Sequence, residues 1–243
     1  MKNEASTYFF IGRISDFSAE YQVQNKFIDG NYVFELFMSG ISIWGKSDKP
    51  FEEVRSEIIQ MLDTIFGLFT LSTNKPLIYT LEHWVETKEN VATKNIIGWF
   101  KPTNNPVRVR SMRSPINTAW KNSVKYCRKV LSSNPNYSLA LQDYHKSIID
   151  TGDEAFFYAY RAVEDICRAV SGMDDTKESA WDKMHKDLGT TKEQLDSLLK
   201  VAEEIRHGKK NTQKIKDART KRAELLGASK QIVEIAFNKH IFM

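Results

Sequence analysis

Between Asn90 and Gln142 there is neither an aspartate nor a glutamate. The same fifty-three residues hold nine bases: Lys94, Lys101, Arg108, Arg110, Arg113, Lys121, Lys125, Arg128 and Lys129. Twenty-six bases and thirty-one acids occupy the rest, so a net charge of only +4 hides a polarised molecule. A block without carboxylates cannot neutralise itself, and uncompensated charge of one sign suits an anionic partner. Cysteine is scarce as well. Cys127 and Cys167 lie forty residues apart, which excludes a paired-cysteine metal motif and a disulfide framework. A reducing, cytoplasmic setting is the simplest expectation. No apolar run approaches the roughly 18–20 residues that cross a bilayer, so no membrane association is expected. Met1 to Thr7 is polar and lacks the basic-then-apolar layout of a secretion leader. Glycine-rich phosphate loops, H-E-x-x-H, paired C-x-x-C and G-x-S-x-G are all missing, so neither a metal nor a cofactor is expected.

What is present is ample for a core: 243 residues, 41% apolar and 12% aromatic. The pattern predicts an α+β domain over residues 1–100, an antiparallel sheet with one long helix. A basic, proline-bearing linker over 101–115 follows, then a helical bundle over 116–243. Strands are expected at Tyr8–Ile14, Tyr21–Ile28, Tyr32–Met38, Ile41–Gly45, Leu77–Glu86 and Val91–Phe100. Tyr32–Met38 is apolar on most of both faces and belongs inside the sheet. Phe51, Val54, Ile58, Leu62, Ile65, Phe66 and Phe69 keep helical spacing, which predicts a helix from Pro50 to about Leu71 covering one sheet face. After Pro115 helices are expected at Ile116–Leu131, Tyr137–Ile149, from a capping Asp153 to Gly172, and from Asp175 to Gly189. A fifth runs to Gly208 behind a Thr190-to-Glu193 capping box, and a last one from Asp217 to Lys239. Lys209–Lys216 reads as a charged loop.

The bases divide into two clusters. Arg108, Arg110, Arg113, Lys121, Lys125, Arg128 and Lys129 form the first. A second runs from Arg206 through Lys209 and Lys210 to Arg222, against the single acid Asp217. Both suit a phosphate backbone, and both could be solvated faces. Trp99, Phe100 and Trp120 could stack on bases or serve as core. His83 reads as an ordinary strand residue.

Two short motifs stand in the helical half: Tyr160-Arg161-Ala162-Val163-Glu164 in mid-helix and Arg206-His207-Gly208 at a helix end. Arg161 and Glu164 are three apart and could pair within the bundle. Arg206-His207-Gly208 has the make-up of a helix stop, with basic side chains at the negative end of the dipole and a closing glycine.

A helix of the F-x-x-Y-R-x-x-E type, an amphipathic helix ending in R-H-G and a long terminal helix resemble the HEPN superfamily over roughly Tyr137 to Met243. That resemblance implies a small helical bundle, a homodimer through the bundle, and RNA as the partner, in phage-defence or toxin systems. In the family a histidine acts on a ribose 2′-hydroxyl and an arginine four to six residues before it holds the phosphate. Here Arg206 adjoins His207, and neighbouring helical residues point about 100° apart. The expectation is therefore RNA binding without the family's catalytic spacing. A metal-independent endoribonuclease using Arg161, Glu164, Arg206 and His207 is the alternative, and a protein-interaction or sensor module with an acidic protein partner is the second.

Overall fold

A computed structural model describes residues 5–15, 24–29, 32–37, 40–87, 115–172, 177–210 and 212–243. These form five strands and eight helices, in the expected order of an α+β portion followed by helices. The expected strand Val91–Phe100 lies outside the described residues. So do the linker apart from Pro115, the bases Lys94, Lys101, Arg108, Arg110 and Arg113, and the aromatics Trp99 and Phe100.

The strands are β1 (Ser6–Ser15), β2 (Gln24–Asp29), β3 (Tyr32–Phe37), β4 (Gly40–Ser47) and β5 (Ile78–Thr87). They form one antiparallel sheet in the order β2-β3-β4-β1-β5. β2 and β3 pair as a hairpin with Asp29 opposite Tyr32. β3 is interior, as its apolar faces require, with β4 at the centre of the order. β1 is buried on successive residues from Ser6 to Phe10, the signature of a strand covered on both faces.

Helix α1 (Phe51–Thr73) opens with Glu52 and Glu53, which oppose the positive end of its dipole. Near its start Phe51 stacks on Phe10 and on Trp84, and Val54 and Ile58 are buried. Tyr79 donates to the Ile59 carbonyl.

The chain divides into two compact units, residues 1–60 with 77–118 and residues 61–76 with 119–243. The division falls inside α1, whereas the periodicity assigned that helix wholly to the sheet domain. The reason lies in the side chains after Gln60. Phe66 and Phe69 meet the edge of Trp120 at 5.5 and 5.3 Å, Thr64 bonds Ser138, and the Met61 carbonyl accepts from Cys127.

The second unit also holds α2 (Pro115–Leu131) from Ala119 onward, α3 (Pro135–Ile149), α4 (Glu154–Ser171), α5 (Lys177–Leu188), α6 (Glu193–Arg206), α7 (Gln213–Thr220) and α8 (Arg222–His240). Asn134 caps α3 by accepting from the Asn136 amide. α4 is central and packs on α3, α5, α6 and α8. Phe156, Val163 and Ile166 of α4, Leu198 of α6 and Val233 and Phe237 of α8 are wholly buried. Each such side chain stabilises by about 1.5–3 kcal/mol relative to exposure.

Three local expectations differ from what is observed. Asp153 precedes α4 without a capping bond, because its carboxylate is held at both oxygens by Arg219. At the start of α6 the Thr191 amide donates to Gln194, while the Thr190 hydroxyl bonds His185. The sequence T-x-x-Q, one residue further on, thus makes the reciprocal arm of a capping box. The expected loop Lys209–Lys216 contains most of the first turn of α7. Thr212 caps it by accepting from the Ile215 amide, Ile215 and Ala218 are buried, and the last helix begins only at Arg222.

Candidate nucleic-acid interface

α2 contains no acid. Its buried side is Trp120, Ser123, Cys127 and Val130, spaced by three or four residues as one helical face requires. Burial of that face forces the remaining positions outward. Lys121, Lys125, Arg128 and Lys129 are all exposed and follow i, i+4, i+7, i+8, a single stripe. Eight residues at about 1.5 Å each span about 12 Å. Among the described residues, Lys121 and Lys125 have no carboxylate within ion-pair distance. The Lys125 ammonium lies 5.0 Å from the Tyr126 ring centre. Lys129 donates to the Met243 main-chain oxygen at 2.6 Å. Trp120, a candidate stacking residue, is buried with its Nε1 unpartnered. It is core, not a platform for bases.

The second cluster is answered by carboxylates and carbonyls from elsewhere. Lys214 pairs with Glu204 at 3.0 Å and Arg219 holds Asp153 in a two-point contact of 2.7 and 2.6 Å. Arg222 donates to the carbonyls of Ser147, Asp150 and Gly152 and covers the Phe156 ring. Lys209 and Lys210 are exposed. Asp217 is therefore not the only acid available to this cluster, as a linear count suggests.

No hydrogen bond or ion pair among the described residues joins Arg161, Glu164, Arg206 and His207 to one another. Arg161 turns toward α3, where its Nε sits 3.0 Å from Asp143 Oδ2, and its guanidinium lies 5.7 Å from the Phe157 ring centre. Glu164 faces the Tyr160 hydroxyl instead of pairing with Arg161. Arg206 ends α6 and His207 is its exposed C-cap. Gly208 has φ +69, and the Lys209 amide reaches back to the Glu204 carbonyl at 3.0 Å. That is the left-handed glycine stop, which needs no chemical role for His207.

Sequence reasoning missed two buried acids, Asp143 on α3 and Asp165 on α4, both about 3% exposed or less. Arg168 donates to Asp165 Oδ1 at 3.1 Å, while Oδ2 of each aspartate lacks a hydrogen bond. The Arg161 contact is thus an ion pair off the hydrogen-bond line. Burial raises the Asp143 carboxyl above its ordinary range against the pull of Arg161 and Lys146. Burial, and then the charge of Asp143, push Asp165 up to about 6, relieved in part by Arg168 and Arg161. The available signal was Asp165 standing directly before Ile166 and Cys167, on a stretch of helix too apolar for solvent.

Residues 124–237 match a family model described as the C-terminal domain of a domain of unknown function, DUF8168. The matched span holds Lys125, Arg128 and Lys129 of the basic stripe, all of α3 to α7, and most of α8. No curated protein and no solved structure matches the chain. Among the described residues no helix is long and apolar enough to cross a membrane.

Proposed function

We propose that the helical unit is a HEPN-like module that binds RNA along α2 and does not cut it. The observation that carries this reading is the exposed, acid-free stripe of Lys121, Lys125, Arg128 and Lys129, backed by a helix face fixed in the core. Four cations over about 12 Å suit successive phosphates of one strand. The preference for RNA over DNA comes from the helix-order resemblance. Binding without cleavage is supported by the commitment of Arg161 to Asp143 and by the place of His207 at a helix stop.

The test is fluorescence anisotropy with a labelled single-stranded RNA at several salt concentrations. Four phosphate contacts give a log–log slope of about −3, hence about a 50-fold loss of affinity between 50 and 200 mM salt. Lys121→Ala with Lys125→Ala should halve the slope. An unchanged slope in that variant overturns the proposal. Incubation in EDTA beside His207→Ala separates the alternative, since cleavage by the parent that disappears in the variant would establish a nuclease.

A further inference from the structure

A cavity of about 280 Å³ opens between α4, α5 and α6, remote in character from the basic stripe. Its walls are aromatic and aliphatic. Tyr160 and Trp181 stack at 6.0 Å, Trp181 meets His185 at 5.9 Å, and Leu195 and Leu199 close the other side. His185 is bonded through Nδ1 to Thr190 at 2.8 Å, and burial lowers its pKa, so near neutral pH it adds ring surface and no charge.

The charges around the cavity do not cancel. Lys192 is paired with Asp182 at 3.3 Å, and Asp196 with Lys200. Glu203 remains, with no cation within ion-pair distance among the described residues. The Glu164 carboxylate, likewise without a described cation, faces the Tyr160 hydroxyl, and the charge of Glu203 acts on the same phenol from a distance. Negative charge from two helices therefore bears on one side of the aromatic wall, and a bound cation there offsets it. The face of an indole attracts the same cation through its quadrupole.

We propose that this cavity binds a small organic cation of the amine or quaternary-ammonium class, with Trp181 and Tyr160 against its apolar body and Glu203 answering its charge. The volume lies at the lower end of ligand pockets and suits a compact molecule, not a nucleotide.

Isothermal titration of the full chain with choline tests this, beside its uncharged isostere 3,3-dimethylbutan-1-ol and with butylammonium as a second cation. One-to-one, saturable choline binding is expected, with the isostere about tenfold weaker or more. Glu203→Gln and Trp181→Leu should each weaken choline about fivefold or more. Lys192→Gln should strengthen it, because that change removes the competing cation at the rim. The opposite signs of these variants distinguish a site from general loss of fold, which circular dichroism of each variant checks. Equal affinity for choline and the isostere overturns the proposal. So does the lack of saturation by both cations up to about 20 mM, or weakening in Lys192→Gln equal to that in Glu203→Gln.

Discussion

Replacing Asp165 by Asn removes a carboxyl whose protonated form the fold favours. Lifted from its ordinary value of 3.8 to about 6, the group binds its proton more tightly in the folded protein than in the unfolded chain. Its favourable contribution is complete below pH 4 and disappears as pH rises through 6. At about 1.4 kcal/mol per tenfold change in proton affinity, ionised Asp165 costs the folded state about 3 kcal/mol above pH 6. The substitution removes that cost. The pull of Arg168, 3.1 Å from Oδ1, is already contained in that figure. The net expectation is a gain of about 3 kcal/mol at pH 8, or about 6–12 °C in melting temperature for a chain of this length. Below pH 4 the gain vanishes, because the parent's carboxyl is then neutral as well. Urea titrations followed by far-ultraviolet circular dichroism at pH 4 and pH 8 measure both ends. The reasoning fails if the variant and the parent differ equally at the two pH values, or if the variant is the weaker at pH 8.

Arg161→Met leaves buried Asp143 with only Lys146, 3.9 Å away. Urea titration at pH 8 should show a loss of about 1–3 kcal/mol, toward the low end because Arg161 itself is partly exposed, while RNA affinity of the folded variant stays within about twofold. Gly67→Ala sets a methyl 2.8 Å from the Leu141 Cβ and 3.2 Å from its carbonyl oxygen. Overpacking of about 1–3 kcal/mol should outweigh the gain in helix propensity of about 1 kcal/mol, seen as a lower melting temperature. Cys127 and Cys167 are both buried, and burial pushes the Cys127 thiol up to about 12. A thiol reagent at pH 8 should therefore find no reactive cysteine in the folded protein and both after unfolding in urea. Arg219→Ala removes the grip on Asp153 and should leave RNA affinity unchanged in the same anisotropy assay, because that charge is already engaged.

The strands and most helices were legible because their signals are local. The three-to-four spacing of Val54, Ile58, Leu62 and Ile65 reports burial directly. The stripe on α2 was legible for the same reason: one face had to be core, so the bases had to be outside. What escaped the sequence depended on partners distant in the chain. Asp153 looked like a cap until Arg219, sixty-six residues on, claimed it. Arg161 and Glu164 looked like a pair until Asp143 on a different helix took the arginine. Lys209–Lys216 looked like a loop because two buried residues, Ile215 and Ala218, are too few to show a period. The cavity was invisible because Tyr160, Trp181 and Glu203 come from three helices, and no linear spacing relates them.

The second helix carries neither histidine nor carboxylate, the side-chain types whose charge ordinarily changes between about pH 4 and pH 7. Its cationic strength is the same in an acidified compartment as in a neutral one. A cationic face of this kind responds to ionic strength and to competing polyanions, and mild acidity leaves it untouched.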